Sequence, residues 1–420
     1  MENCCEINEV YRIFRILTIL TWSFLRNDQV SFGNDLVENE IYMKSNERID
    51  QLAEQLHENV KNSGDQMTPL ERFNCVNVCH AKPDRLMTWA FYREYPRYLV
   101  NYTVRDLETD YLKECESMLS GLVEFGYDTI WTNVDVYSVI PEILGVQIDM
   151  IEDAVSVPQV PVIKKPEDLE KLKMVDPETD GRLPVVMNTV ALLREKIGDI
   201  YPIIGHLSGP ISLASTLRGA SKFVIDMKRR PEFVKDLLDF CADVIIVVGK
   251  ALLDRGAIGI SMADATGSPS LCSPQQYNDL FMPAYEKIQK ALAHMTPPGV
   301  RWHSQSGIDE VADIETFVKE SCQAGNTVFH VATPWSLNCD IKGILEILKE
   351  YGACLWFGIA PAAFATLTPE EMDSLVKEYI EKYARGYEGY FLMGPNMLND
   401  TSKPELVKAW MEAMRKYGKC

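Results

Sequence analysis

The sequence predicts a soluble (β/α)8 barrel, and three observations lead to this fold class. From Met67 onward, short apolar runs alternate with long amphipathic segments. Eight such runs occur, each nearly continuous in apolar residues, as expected for parallel strands covered on both faces. Polar residues follow directly after them, where barrels of this class hold their chemistry. We expect the barrel over residues 67–420, after a partly helical extension over residues 1–66.

The predicted elements follow from apolar spacing and from residues that begin helices. The strands are Leu86–Phe91, Thr129–Asn133, Pro202–Leu207, Ala257–Met262, Val300–Ser304, Thr327–Ala332, Cys354–Gly358 and Gly389–Met393. Helical spacing predicts Asp106–Phe125, Pro184–Gly198, Pro231–Leu253, Pro274–Leu292, Glu310–Gln323, Ile341–Tyr351, Pro369–Tyr383 and Pro404–Tyr417. Several of these begin with proline and acids in the first turn, which suits the missing N–H and the helix dipole. The segment Gln147–Asp180 is an excursion after the second strand.

Composition limits the classes of partner. The chain has 420 residues, a formal net charge of -19 and a pI of about 4.9, which argues against binding nucleic acid or an anionic membrane. The eleven cysteines are irregularly spaced and no secretory signal is evident, so we expect reduced thiols and a cytoplasmic location. The apolar run Ile16–Leu25 is too short to span a bilayer. A start of the functional chain near Met43 rather than Met1 is a hypothesis.

The stretch Val300–Gly307 is the strongest candidate for a functional site. It predicts a strand that stops at His303, followed by small polar residues and a glycine turn. Because side chains alternate along a strand, His303 and Gln305 project to one side and could reach one ligand. His303 is a candidate general acid or zinc ligand, but glutamine is a poor ligand for a soft metal.

Further candidates stand at the ends of the other predicted strands. Asp264 could orient His303, complete a metal site or cap a helix, and Asp135 could bind a cationic group or a proton or stabilise a turn. His206 is a candidate for substrate contact or catalysis, or a buried structural histidine. The remaining candidates for substrate contact are Arg93, Arg97, Gln305, Trp335 and Asn396.

Several motifs resemble the uroporphyrinogen decarboxylase superfamily from Met67 to the C-terminus. They are Met67–Phe73, Pro83-Asp84-Arg85, Gly209-Pro210 with Leu213-Ala214, Ser273-Pro274 with Pro283, and Asp400-Thr401 with Pro404-Glu405. The resemblance implies a (β/α)8 barrel and one of two activities. One is decarboxylation of uroporphyrinogen, and the other is methyl transfer to or from a corrinoid protein, often with zinc.

The methyltransferase branch is the nearer of the two. The stretch His303-Ser304-Gln305-Ser306-Gly307 is similar to its His-Ser-Asp-Gly-like motif, whereas the decarboxylase histidine after the last strand falls at Pro395. Of the cysteines in the branch's zinc forms, one is replaced by Gln305 and the last-strand one is absent, with Pro395 and Asn396 in its place, so any zinc would rest on His303 without thiolates. No corrinoid-binding Asp-x-His-x-x-Gly motif occurs, which implies that a partner protein carries the corrinoid.

Three functions therefore stay open. The first is a methyltransferase component that moves a methyl group between a small O- or N-methyl substrate and a corrinoid protein, with His303 and Asp264 central. The second is a decarboxylase of porphyrin biosynthesis that uses Asp135, Arg93 and Arg97. The third is a non-catalytic barrel that binds a tetrapyrrole or a partner. The resemblance also allows a homodimer.

Overall fold

The computed structural model describes residues 36–90, 92, 94–132, 135–267, 272–292, 295, 301–303, 314–332 and 338–420, with 36–43 and 301–303 described by their backbone alone. The chain divides into a unit that ends at Arg48 and a unit from Ile49 to Cys420 that holds the barrel. Within the second unit, Ile49, Leu52 and Leu56 are buried in the main hydrophobic core. The predicted domain boundary at residue 67 stays a prediction.

Eight parallel strands form the central sheet, and all eight lie where the apolar runs predict them. In chain order the strands are β1 Met87–Thr88, β2 Ile130–Trp131, β5 Ile203–Ser208, β6 Gly259–Ala263, β7 Arg301–His303, β8 Val328–Ala332, β9 Cys354–Ile359 and β10 Phe391–Pro395. Their order in the sheet is β1-β10-β9-β8-β7-β6-β5-β2. The excursion after β2 contains an antiparallel hairpin of β3 Gln147–Asp149 and β4 Val157–Val160.

Side chains join the first and second strands of the barrel. Among the described residues β1 and β2 share no backbone ladder. Instead, the backbone N–H of Thr88 donates to Asp128 Oδ2 at 2.8 Å, and that of Trp131 donates to Tyr92 Oη at 3.2 Å. Asp128 and Tyr92 are fully buried, so these bonds satisfy backbone groups that water cannot reach. The two short strands therefore complete the ring through side chains.

Helices follow the strands as the α-periodic segments predict, except that the predicted helix Asp106–Phe125 is two helices separated at Asp110, whose backbone is extended. Their bounds are Leu36–Asn62, Pro69–Asn77, Val104–Thr109, Tyr111–Phe125, Val139–Ile143, Leu183–Ile197, Pro210–Arg218, Ala220–Arg229, Pro231–Asp254, Pro274–Gln276, Met282–Leu292, Ile314–Gln323, Ile341–Tyr351, Ala363–Thr366, Pro369–Tyr379 and Pro404–Tyr417. No helix in the described part of the chain has the length and apolar character needed to cross a bilayer.

Local sequence explains several of these boundaries. Ser273 and Thr368 each form a capping box with the residue three positions on, and a proline follows each cap. The turn Tyr277–Phe281 is π-helical and joins the short helix Pro274–Gln276 to Met282–Leu292. Pro283 lacks an N–H and would clash with the carbonyl four residues earlier, so the wider turn before it relieves that clash.

The end of the barrel where the strands begin is held by a buried ionic network. Asp128 accepts hydrogen bonds from Arg72 Nη1 at 2.7 Å and from Arg85 Nη1 at 2.7 Å. Arg72 Nε also donates to Asp84 at 2.8 Å, and Arg85 Nε donates to Asp65 at 2.9 Å. The two guanidinium groups hold the pKa of Asp128 well below its usual range. Residues of the Met67–Phe73 and Pro83-Asp84-Arg85 motifs therefore stabilise the fold at this end.

Candidate active site at the C-terminal ends of the strands

The interior of the barrel is lined by aromatic and neutral polar side chains. Alternation along β5 directs Ile204, His206 and Ser208 inward, whereas Ile203 and Leu207 join the outer core. Three tryptophans, Trp89, Trp131 and Trp356, fill the middle of the interior, with ring centroids 5.5 to 6.5 Å apart. These tryptophans form an apolar floor, and the polar groups of the candidate site adjoin it.

His206 is a buried histidine with a defined tautomer. Its Nδ1 lies 3.2 Å from the carbonyl oxygen of Ser261, which can only accept, and 3.1 Å from Ser261 Oγ. Nδ1 therefore carries the proton, and Nε2 is the unprotonated nitrogen. The ring packs edge-on against Trp131 at 5.1 Å. This fixed orientation makes His206 a hydrogen-bond acceptor at its second nitrogen.

His330 is a functional candidate that the sequence reasoning missed. It lies on the inward face of β8 and stacks on Trp356 with ring centroids 3.8 Å apart. Its Nε2 donates to Asn396 Oδ1 at 3.0 Å, and burial lowers the pKa of His330 to about 4. The histidine is therefore neutral at physiological pH. Side chains alternate along the predicted strand Thr327–Ala332, so a polar residue on its inward face, as His330 is, could have been recognised as a candidate.

Asn396 directly follows the last strand, which ends at Pro395. Its backbone N–H donates to Ile359 O at 2.8 Å, which ties the residue to the end of β9. A Cβ at Gly358 would collide with both Asn396 Oδ1 and His330 Nε2, so glycine is needed for the two side chains to meet. His330 and Asn396 together form a rigid neutral pair above the apolar floor.

Asp264 faces the helical layer instead of the barrel interior. Its carboxylate accepts hydrogen bonds from the backbone N–H of Ile211 at 3.2 Å and Ser212 at 2.6 Å. Tyr285 Oη donates to it at 2.8 Å. These contacts place it at the N-terminus of the helix Pro210–Arg218, where the dipole favours a negative charge. Burial raises the pKa of Asp264 despite these bonds.

This geometry favours the helix-capping alternative for Asp264. A Cβ at Gly209 would collide with the carboxylate, so the Gly209-Pro210 motif leaves the room that the cap needs. The preceding residues of β6 alternate, with Ser261 against His206 and Met262 in the outer core. Asp264 follows Met262 by two positions and shares its outward side. Its catalytic role stays a prediction.

Asp135 lies in a buried cluster at the mouth. It accepts from Arg182 Nη2 at 2.9 Å and from the backbone N–H of Ser138 at 3.0 Å. Arg182 also pairs with Glu142 at 2.8 Å and with Glu108 at 3.5 Å. Burial raises the pKa of Asp135, and burial together with the charge of Asp135 raises that of Glu108. A single arginine thus ties three carboxylates, and it anchors the end of the excursion to the barrel.

Arg97 is bound to acids of its own chain. Its guanidinium lies 3.4 Å from Asp153 and 3.2 Å from Asp400. Arg93, Gln305 and Trp335 lie outside the described residues. His303 is described by its backbone, which pairs with Met262 and Phe329 and so stands in the barrel wall.

The described residues do not fit a zinc ion. They contain no group of three or more histidine, cysteine, aspartate or glutamate side chains arranged to hold a metal. At the mouth, the Asn396 amide oxygen already accepts from His330, and an amide is a poor substitute for the thiolate that zinc prefers. The prediction of His303 as a metal ligand lies outside the described side chains.

Comparison with known proteins identifies the family. A family profile described as uroporphyrinogen decarboxylase (URO-D) matches residues 75–417. This chain belongs to the uroporphyrinogen decarboxylase family. It is 35% identical over 266 residues to a methylcobamide:CoM methyltransferase of Methanosarcina mazei, which covers 61% of this chain and 70% of that protein. A uroporphyrinogen decarboxylase of Syntrophotalea carbinolica is 26% identical over 252 residues, covering 56% of this chain and 71% of that protein.

A solved structure supports the fold. A methyltransferase from Methanosarcina mazei superposes with a TM-score of 0.70 at 18% identity, covering 84% of this chain and 99% of that chain. At this identity the likeness shows the fold alone. The predicted family, the (β/α)8 fold class and the prediction that the chain is an enzyme are thereby confirmed.

Proposed function

We propose that this protein is a methyltransferase that moves a methyl group between a small O- or N-methyl substrate and a corrinoid carried by a separate protein. The observation that carries the proposal is the identity of 35% with a methylcobamide:CoM methyltransferase over 70% of that protein. The identity with the uroporphyrinogen decarboxylase is lower, at 26%. The bound corrinoid supplies the cobalt that accepts or gives the methyl group, and the present chain binds and orients the substrate.

The interior polar side chains near the mouth suit a small uncharged substrate. Ser208 and Asn396 carry no charge, His330 is neutral because burial lowers its pKa to about 4, and with His206 they offer hydrogen-bond donors and acceptors. The Ser208 hydroxyl and the Trp89 indole N–H are buried and have no hydrogen-bond partner among the described residues. Buried polar atoms of this kind are costly unless a ligand or water satisfies them. The substrate oxygen or nitrogen that carries the methyl group would form hydrogen bonds with these atoms.

The reacting oxygen or nitrogen needs a proton as the methyl group leaves. A positioned side chain commonly supplies it. His330 cannot be that acid, because its pKa of about 4 leaves it without a spare proton at neutral pH. We assign it to positioning: its bond to Asn396 Oδ1 fixes the orientation of the Asn396 amide. His303 remains the proposed proton donor.

The decarboxylase alternative is the weaker of the two. Uroporphyrinogen is a polycarboxylate, and its recognition requires cationic side chains that are available to bind it. Arg97 is engaged by Asp153 and Asp400, while Arg182 is engaged by Asp135 and Glu142. A substrate carboxylate would have to displace these acids. A non-catalytic role is a third candidate, which the enzyme relatives disfavour.

The decisive experiment is methyl transfer with free cobalamin. Cob(I)alamin is mixed with the protein and a panel of methyl ethers and methylamines, and conversion to methylcobalamin is followed by its visible spectrum. We expect conversion with at least one donor, and a loss of about 100-fold or more in His303→Ala, the usual size of a general-acid contribution. Uroporphyrinogen is tested in parallel.

Two results would contradict the proposal. One is the absence of conversion with every donor, together with uroporphyrinogen turnover that Asp135→Asn abolishes. The other is the absence of both activities in a folded protein, which would support a binding role. Lys382→Ala, at an exposed lysine outside the site, is the control variant that keeps wild-type rates.

A further inference from the structure

Exposed apolar side chains are concentrated in two segments, the excursion Gln147–Asp180 and the helix Ala220–Arg229. Of the eight large hydrophobic side chains that are exposed among the described residues, six lie in these segments. They are Ile151, Val157, Val160, Met174, Val224 and Ile225. Concentrations of exposed apolar surface mark interaction sites more often than scattered single residues do.

The two segments are packed against each other. The backbone N–H of Ile163 donates to Leu217 O at 2.9 Å, and Arg218 Nη1 donates to the carbonyl oxygens of Ile163 at 3.1 Å and Lys164 at 2.6 Å. A Cβ at Gly219 would lie 3.0 Å from Pro161, so the chain after β4 is in close contact with the start of the helix Ala220–Arg229. Val160 and that helix therefore belong to one surface.

The helix Ala220–Arg229 is basic in a chain that is acidic overall. The helix exposes Lys222, Lys228 and Arg229 beside Val224 and Ile225. Its only acid, Asp226, is buried and pairs with Arg218 at 2.7 Å and with Arg230 at 2.9 Å. None of the three exposed cations forms an ion pair with a residue that the structure describes. We call Val160, Lys222, Val224, Ile225, Lys228 and Arg229 the basic apolar patch.

The patch follows the barrel mouth closely along the chain. The helix Pro210–Arg218 begins directly after Ser208 at the C-terminal end of β5, and its nine residues span about 14 Å at 1.5 Å per residue. A standard protein interface covers about 800 Å² on each partner, which corresponds to a disc of about 16 Å radius. A partner protein centred on the mouth would therefore reach the end of this helix, which the helix Ala220–Arg229 directly follows.

We infer that the basic apolar patch is the docking surface for the corrinoid-carrying protein, which would meet it with an acidic face bearing apolar side chains. The inference rests on the proposed function. Charge complementarity favours an acidic partner, since local cations steer association with such a face. A second copy fits less well, because a two-fold interface through the patch would bring like charges together. An anionic membrane is disfavoured by the net charge of -19.

The test compares two methyl acceptors with the full-length protein. One acceptor is free cob(I)alamin, and the other is a purified corrinoid protein that accepts methyl groups in the presence of the wild-type chain. The variants are Lys222→Glu with Lys228→Glu, and Val224→Ser with Ile225→Ser. We expect a rise of tenfold or more in the KM for the corrinoid protein, a weaker dependence of that KM on salt in the charge variant, and unchanged rates with free cob(I)alamin.

The control and the contrary outcomes are distinct. Lys377→Glu with Lys382→Glu makes the same charge change on other exposed lysines and should leave both reactions unchanged. Failure of the wild type with free cob(I)alamin would refute the proposed function itself. Wild-type kinetics of both patch variants with the corrinoid protein would refute the docking surface alone. The docking surface would also be refuted if the patch variants instead changed the sedimentation of the protein or its retention on phosphatidylserine vesicles.

Discussion

The buried polar groups at the two ends of the barrel differ in how they are hydrogen-bonded. At the end where the strands begin, Asp128 is fully buried, and two arginines and the backbone of Thr88 saturate its carboxylate. At the end where the strands finish, the interior side chains of Ser208, His330 and Asn396 are neutral, and Ser208 Oγ lacks a hydrogen-bond partner among the described residues. The buried polar groups at the first end are satisfied by other groups of the chain, whereas those at the second end retain the capacity to bind a ligand.

The difference separates two kinds of sequence signal. Arg72, Asp84 and Arg85, which helped to reveal the family, belong to the ionic end. Their chemistry explains the stability of the fold and gives no information about the reaction. The end where the strands finish contains His330, which no motif indicated. Four predictions test this division of roles, beginning with the change expected to have the largest effect.

Asp128→Asn should cost the most stability. It removes the charge that compensates Arg72 and Arg85, and breaking a buried ion pair in this way typically costs about 3 to 5 kcal/mol. Urea denaturation measures the loss in the free energy of unfolding. Asp373→Asn, which weakens the contacts of this carboxylate with Lys416 and the Tyr417 hydroxyl, should cost less than about 1 kcal/mol. Equal losses in the two variants would contradict the structural role of the ionic end.

His330→Gln should change the acid sensitivity of the protein. Because burial lowers the pKa of His330 from 6.5 to about 4, the unfolded chain binds a proton more readily than the folded chain between these values. The wild type therefore loses stability as the pH falls through this window, by up to about 3 kcal/mol. Unfolding measured from pH 7 to pH 4 should show a shallower loss in the variant. Parallel curves would show that His330 does not titrate as its burial implies.

Substitutions of Asp264 distinguish a helix-capping role from a catalytic role for this residue. Asp264→Ala should lose about 1 to 2 kcal/mol, because it leaves the amides of the helix Pro210–Arg218 without an acceptor. Asp264→Asn should retain most stability and the wild-type rate of methyl transfer. A fall of about 100-fold or more in that rate with an intact fold would instead establish acid or base catalysis by Asp264. It would also show that the reactive region extends beyond the barrel interior.

Arg97→Gln should have the smallest effect on stability. Its acidic partners Asp153 and Asp400 are exposed, and such pairs contribute less than about 1 kcal/mol. The KM for a methyl donor should not change. A KM for uroporphyrinogen that rises tenfold or more, in a protein that turns this substrate over, would contradict the view that Arg97 is committed to its own chain.

Sequence patterns predicted the strands because a parallel strand covered on both faces needs a continuous apolar run. They also predicted where several helices begin, because proline and capping side chains act locally at Ser273 and Thr368. The site was less predictable. His206 and Asn396 were found by their positions after strands, but the contact of Asn396 with His330 joins residues 66 positions apart. Nothing in the local pattern of either residue encodes that contact.

By itself, the sequence determined the barrel class, the family and the positions at which strands give way to polar residues. These features follow from local periodicity and from motifs that are contiguous in the chain. Only the tertiary structure decided that Asp264 caps a helix, that His330 is neutral and that side chains of Asp128 and Tyr92 join β1 to β2. Each of these depends on which face of a strand a residue occupies and on which distant element lies against it, and burial then sets its charge.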